Sequence, residues 1–316
     1  MRFGVIGLGN HALNRVMPAI VESGNEIAAI TTQNQEKGEM ISEKFNCKYS
    51  KDLHEMLSED IDAVYIGSPN YMHYDQAMKS LGKDKHVLVE KQMTLRPSEA
   101  KELNNLASER RLKVGVGFHL RFHPALNDIK EQFLNENLLE ISGKWGHVSS
   151  HQVSNPDNKW WTEQEKVGGG SIMGTGVHVI DTVLSLFGKF PRKVTAFRIP
   201  DQRIIEDSMI VHMQFEHGFG NALSSREIKP VANDLQILTT DKNILCKNFF
   251  STGAESSLWV NDELVKNYER TNLYEKEVDG FTEYVFGNPT GIAKGEDGYR
   301  VVRVVEDAQK FISMVR

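Results

Sequence analysis

The first run able to do chemistry is Gly7-Leu8-Gly9-Asn10-His11-Ala12, which follows an apolar stretch and opens a helical pattern from His11 to Val21. There Gly7 permits a tight strand-to-helix turn, Gly9 lets backbone approach a phosphate, and Ala12 keeps the helix close to the strand. The helix N-terminus adds unpaired amides and the positive end of a dipole. The run, with Asn10 and His11 at its centre, therefore reads as a pyrophosphate site for a dinucleotide. A tight turn that binds nothing is the plain alternative. After the second apolar run stands Thr31-Thr32-Gln33-Asn34, where NAD enzymes usually carry an acid for the ribose hydroxyls. Without that acid nothing repels a 2′-phosphate, and Thr32 and Gln33 offer donors to it, although no arginine is there to clamp it. The expected cofactor is NADP or NAD, with the lean to NADP.

Lys91 falls just past the end of a parallel strand, where doubly wound folds place ligands. Its ammonium could hydrogen-bond a substrate oxygen, and desolvation would bring its titration nearer neutrality. From the residues alone, a surface lysine paired with Glu90 is the better reading. His178 titrates in the useful range, and Asp181 lies one helical turn on; a satisfied core histidine is its alternative. Arg121 could bind a polar substrate, contact the cofactor or form a structural ion pair. Trp160 and Trp161 could stack on a sugar face or belong to the core or an interface. The run Gly168-Gly169-Gly170 brings backbone near a ligand or forms a flexible turn. His119 and His123 flank a strand end beside Pro124, so no metal site is expected.

The elements that must position these groups change character along the chain. Strands are expected at Phe3–Gly7, Glu26–Thr31, Ala63–Ile66, His86–Val89 and Lys113–Val116, separated by helices over Glu36–Phe45, Tyr74–Leu81 and Pro97–Arg110. Buried strands alternating with amphipathic helices mean βαβ units and a parallel sheet. A helix over Ala125–Phe133 then leads into alternating strands at Ile141–Ser149, Lys193–Ile199, Ile210–Phe215, Gln236–Thr239 and Leu258–Leu264. Turn residues at His217-Gly218 and Asn261-Asp262 make this second sheet largely antiparallel. A helix over Val177–Leu186 interrupts it, with Gly188 at the C-cap position. The fold class is α/β: an N-terminal Rossmann doubly wound parallel sheet, residues 1–121, and a C-terminal α/β domain with a large, mainly antiparallel open sheet, residues 122–316. A last helix, about 299–316, is expected to pack back on the first domain.

The 316 residues carry a formal net charge of −6, with 43 acidic and 37 basic side chains. That balance argues against nucleic acid as a partner. Two cysteines, Cys47 and Cys246, make neither a disulfide framework nor a zinc site. No apolar run reaches the length of a membrane span and no signal peptide is evident, so no membrane association and a cytoplasmic location are expected.

Several further motifs carry a resemblance to a known family. Gly67-Ser68-Pro69-Asn70-Tyr71-Met72-His73, Lys85–Lys91, Val116–Pro124, Gly168–Asp181 and Gly295–Gly298 together resemble the glucose-fructose oxidoreductase/inositol dehydrogenase/rhizopine-catabolism (Gfo/Idh/MocA) family over nearly the whole chain. The resemblance implies an NAD(P)-dependent oxidoreductase acting on a sugar, polyol or related small molecule. It implies an open sheet that serves as an oligomer interface, giving a homodimer or homotetramer. It aligns Gly7, Gly9 and Ala12 with the phosphate loop, and Ser68, Pro69, Asn70 and His73 with the loop at the nicotinamide end. Glu90 and Lys91 fall on the Glu-Lys-Pro element, whose lysine stands beside the substrate carbon that exchanges hydride. His178 falls on the catalytic-helix histidine, so Lys91 and His178 are the expected catalytic pair; Arg121, Trp161 and Asp181 join them as substrate-binding candidates. Two positions depart from the pattern. Gln92 replaces the proline after the lysine, removing a rigid or cis turn, and Gly174 replaces an aspartate one turn before the histidine. The second departure keeps open a catalytically weak dinucleotide-binding regulator or scaffold of the same fold.

Overall fold

The computed structural model describes residues 1–134, 136–148, 160–202, 205–228, 232–251 and 254–315. The chain forms two compact units, one of residues 1–119 with 272–299 and the other of 120–271 with 300–316. Residues 272–299 thus return to the first unit, where the sequence placed them in the second, while residues 300–316 stay with the second.

The first unit is a seven-stranded sheet built from β1 (Arg2–Ile6), β2 (Glu26–Thr31), β3 (Lys48–Ser50), β4 (Ala63–Ile66), β5 (His86–Val89), β6 (Val114–Val116) and β15 (Ala293–Lys294). Its order is β15-β6-β5-β4-β1-β2-β3, parallel except for the β15–β6 edge. The chain order reverses between β1 and β4, which opens a crevice at the strands' C-terminal ends. The central strands are buried along their length, so they read as continuous apolar runs. A π-helical turn (Ala12–Val16) and helix α1 (Met17–Glu22) follow β1. Helices α2 (Gln35–Phe45), α3 (Leu53–Leu57), α4 (Asn70–Gly82) and α5 (Pro97–Glu109) follow in turn. Helix α4 begins at Asn70 rather than at Tyr74, because Pro69 already sits at its N-cap. The sequence patterns missed short β3 and α3, and also the helix Leu273–Val285. That helix belongs here because its buried face includes Val278 and Phe281, and the Phe281 ring lies 6.1 Å from that of Phe3.

The second unit is an eight-stranded sheet of β7 (Leu138–Gly146), β8 (Lys193–Ile199), β9 (Ser208–Gln214), β10 (Phe219–Ser225), β11 (Leu235–Thr239), β12 (Asn243–Lys247), β13 (Ser256–Val260) and β14 (Glu263–Tyr268). The order is β14-β13-β12-β11-β7-β10-β9-β8, with only β7–β10 parallel. Helix α6 (Ala125–Phe133) packs with β12 and β13, and the helix Val177–Phe187 packs with β7 and β10. The expected strand over Leu258–Leu264 is instead a hairpin, because Asn261 and Asp262 both take positive φ, 50° and 66°. A two-residue turn of that hand reverses the chain. Strands β10 and β12 were missed, and β7 starts at Leu138, before the expected Ile141; the expected end at Ser149 lies outside the described residues. Gly188 caps its helix at φ 65°. The helical stretch Glu165–Phe187 is long and apolar enough to cross a membrane, which corrects the sequence expectation, but 83% of its apolar window is buried within the protein. The stretch is broken at residues 168–170, and its part over residues 172–187 is a buried helix of this unit.

Candidate active site

In the first unit the loops after β1, β4 and β5 meet at the C-terminal end of the sheet. Gly7 takes φ 87°, and a β-carbon there would collide with the backbone of Gly67 and Ser68. A side-chain-free residue is what lets the β1 and β4 loops touch. A β-carbon on Gly9, by contrast, would meet nothing within 4 Å. Leu13 N donates to Gly9 O at 3.0 Å, starting the helical turns. An exposed glycine at the head of a helix, opening on free space, is the cradle that a pyrophosphate needs.

The Asn70 side-chain amide nitrogen is buried at the start of α4, with no hydrogen-bond partner among the described residues. Such a donor at the crevice fits a polar ligand. Ser68 Oγ donates to Gln76 at 2.5 Å. His73 is fully buried, and its ring nitrogens lie 2.7 Å from Gln92 O and 2.8 Å from Ser68 O. It ties the β4 loop to the β5 loop. Burial lowers its pKa, against the pull of the two carbonyls and of Glu90. The Lys91–Gln92 peptide is cis without proline, so the departure at Gln92 does not remove the cis turn.

Glu90 is the hub of this end. Its Oε1 lies 3.1 Å from His11 Nε2 and accepts from the Tyr65 hydroxyl at 3.1 Å. Burial alone would push this carboxyl up; the charges of His11, Lys91 and His119 overcome it and hold the pKa at about 2. Burial lowers the Lys91 pKa while Glu90 opposes the shift. A lysine poised between burial and a carboxylate is suited to proton exchange. Beyond β2, the Gln33 amide donates to Lys51 O at 3.2 Å, and Asn34 caps α2 by accepting from Lys37 N. Thr32 Oγ1 accepts a weak contact from Asn34 N at 3.4 Å.

In the second unit Arg121 and Asp181 form a buried pair, with contacts of 3.2, 2.9 and 2.7 Å. Both Asp181 oxygens accept from Arg121, so the guanidinium compensates the carboxylate charge. His178 is buried, its ring 5.1 Å from that of Trp145. Trp160 and Trp161 stack on each other at 4.4 Å. His123 is structural: Nδ1 accepts from Ala125 N at 3.1 Å, and burial holds its pKa at about 4. A β-carbon at Gly174 would meet nothing within 4 Å, so packing does not forbid a side chain there. Among the described residues, no group of three or more His, Cys, Asp or Glu could hold a metal ion.

Sequence reasoning missed Glu206. Its buried carboxylate accepts from Gly170 N at 2.8 Å, Ile172 N at 2.7 Å and Ser171 Oγ at 3.2 Å. Burial raises its pKa against these donors. Of the glycine run, Gly170 is held against Glu206. Gly170 touches the Glu206 backbone so closely that a β-carbon would overlap it, and the Glu206 carboxylate occupies the amides at the start of this helix. No local motif points to a partner 36 residues away.

A doubly wound sheet with a glycine loop at its switch point, joined to a unit with a mostly antiparallel sheet, defines a two-part Rossmann protein. A family model described as "Oxidoreductase family, NAD-binding Rossmann fold" matches residues 1–118, and the Gfo/Idh/MocA C-terminal domain model matches residues 138–244. The chain belongs to the Gfo/Idh/MocA family of oxidoreductases, and its N-terminal part is an NAD-binding Rossmann fold. It is similar to 1,5-anhydro-D-fructose reductase of Ensifer adhaerens, 24% identical over 94% of this chain and 92% of the other. It is also similar to D-xylose 1-dehydrogenase (NADP(+)) 2 of Haloferax volcanii, 23% identical over 97% and 95%. Among solved structures, aldose-aldose oxidoreductase from Caulobacter crescentus shares the fold with a TM-score of 0.87, at 20% identity over 100% of this chain and 98% of that one.

Proposed function

We propose that the protein transfers hydride between a nicotinamide dinucleotide and a sugar, polyol or related carbonyl or hydroxyl compound. The observation that carries this is the junction of three loops at the switch point, where Gly9 opens on free space and Glu90–Lys91 ends the neighbouring strand. The relatives named as sugar reductases and dehydrogenases support the substrate class. When bound, the dinucleotide supplies or accepts the hydride. Gly7, Gly9, Asn10, His11 and Ala12 receive its phosphates; Thr32 and Gln33 face the adenosine ribose; Ser68, Pro69, Asn70, His73 and Glu90 surround the nicotinamide end. Lys91 gives a proton to the substrate oxygen or takes one from it. By the family resemblance, His178 and Trp161 of the second unit are further candidates for binding substrate, while Arg121 and Asp181 engage each other.

NADP is the favoured dinucleotide, on the missing acid after β2 and the NADP(+) in the name of the Haloferax volcanii relative. The open face of the eight-stranded sheet carries the row Phe197, Ile210 and Leu223, paired across β8, β9 and β10, beside exposed Ile199 and Phe219. That apolar row, flanked by the polar His212, Asn221 and Glu140 and met by Phe311 at Phe197, supports a homodimer or homotetramer. The second reading, a dinucleotide-binding scaffold without turnover, is favoured by Gly174 alone. Fluorescence titration with NADPH and NADH, followed by a turnover screen on polyols and keto-sugars, separates the two. Tight cofactor binding with no turnover across the panel would replace the enzyme reading with the scaffold.

A further inference from the structure

The glycine loop after β1 and the end of β5 are joined by the contact between His11 and Glu90. The His11 side chain is 43% exposed and that of Glu90 11%, so the pair runs from the open loop to a buried carboxylate adjoining Lys91 in sequence. The carboxylate is shared. His11 engages it at 3.1 Å, and its charge also acts on the ammonium of Lys91, the next residue in the chain. The surrounding elements bring further polar and charged groups. Tyr65 of β4 donates to Glu90, and His119 acts on it from the turn after β6. Tyr274 and Glu277 stand on the helix Leu273–Val285, with Arg15 acting on Tyr274. The Tyr274 ring lies 5.2 Å from that of His11 and 4.7 Å from that of His119. His73 of α4 feels the Lys91 charge.

We propose that His11 is a positioning residue for Lys91: through the Glu90 carboxylate they share, it sets how firmly Lys91 holds its proton. This rests on the reading of Lys91 as the proton carrier. In a site of low effective dielectric a carboxylate acts strongly on each neighbour. Hydrogen bonding from His11 draws off part of its negative field. Without His11 the field falls more fully on the ammonium, and Lys91 gives up its proton only at higher pH. Without the Glu90 charge, burial acts alone and Lys91 gives up its proton at lower pH. The residue of the phosphate loop thereby keeps the lysine exchangeable at the pH where a substrate oxygen must gain or lose a proton. A histidine that served only to start the helix would leave the Lys91 titration unmoved.

The test uses the full chain and needs no substrate. Lys91 is labelled competitively with acetic anhydride across a pH series, and its titration midpoint is read by mass spectrometry. His11→Phe, which keeps a ring against Tyr274, and His11→Ala should each raise that midpoint by about half a pH unit or more, and Glu90→Gln should lower it. In the Glu90→Gln background the His11 substitutions should add nothing, because His11 acts through the carboxylate. The inference is overturned if both His11 variants leave the midpoint in place while Glu90→Gln moves it. An undiminished His11 effect in the Glu90→Gln background also overturns it. Titration of the wild-type protein with NADPH and NADH tests the oxidoreductase reading separately, since a failure to bind either dinucleotide would fell that reading whatever the lysine does.

Discussion

Replacing Asp181 with Asn should destabilise the protein by about 3–5 kcal/mol, the range for stranding one member of a buried ion pair. The side chains of Arg121 and Asp181 are 14% and 2% exposed, with a shortest contact of 2.7 Å. With charge centres about 4 Å apart and an effective dielectric near 20, their attraction is about 4 kcal/mol. Desolvation of each ion costs several kcal/mol, so the intact pair is close to neutral relative to apolar residues. Removing the aspartate charge discards the attraction yet leaves a buried guanidinium to be accommodated. The double variant Arg121→Met/Asp181→Leu should therefore be far less damaged than the sum of the two single changes. Urea unfolding of wild type, Arg121→Met, Asp181→Leu and the double gives the cycle directly. If Asp181→Asn cost under about 1 kcal/mol, or if the singles simply added, the pair would not be a coupled buried unit.

Gly9→Val should keep the thermal midpoint but abolish dinucleotide binding, read by cofactor fluorescence, because the new side chain enters the space at the head of the helix. Glu90, held at about 2 against an ordinary 4.5, should contribute stability that is present above pH 4.5 and lost as pH falls towards 2. The gap in urea midpoint between wild type and Glu90→Gln should thus shrink between pH 6 and pH 2.5, and a gap independent of pH would contradict the assignment. Gly174→Asp, which meets no neighbour, should fold with a midpoint within a few degrees of wild type; a large drop would mean that the turn itself requires glycine. Once a substrate is in hand, Lys91→Met should slow single-turnover hydride transfer by roughly a hundredfold or more, with a smaller loss for His178→Ala. The reverse order would exchange their roles.

The parallel sheet was legible because its strands are buried on both faces, so Phe3–Ile6, Ala63–Ile66 and His86–Val89 stand out as unbroken apolar runs. The glycine loop was legible for a related reason: a turn that must admit backbone contact leaves its mark in residue type. The edges were less so. Strand β3 has three residues and β14 is exposed at five of its six, so neither carries a hydrophobic pattern. The helix Leu273–Val285 has an apolar stripe, yet nothing local says that it returns to the first sheet; that depends on Phe281 fitting beside Phe3. Of the candidate site, the residues after β1, β4 and β5 could be found from position. Their mutual contacts could not, because His11 and Glu90 are 79 residues apart, and Arg121 and Asp181 60 apart.

The return of residues 272–299 to the first sheet has a consequence for synthesis. Six of that sheet's strands lie between residues 2 and 116, but the helix that covers Phe3 and the antiparallel edge strand β15 are synthesised only after all eight strands of the second sheet. Until then Phe3 and Gly115 lack the Phe281 ring that packs against them, so the nascent nucleotide-binding half carries a bare apolar face while the entire eight-stranded sheet is being made. A chain that stopped anywhere before residue 273 would leave that face permanently uncovered.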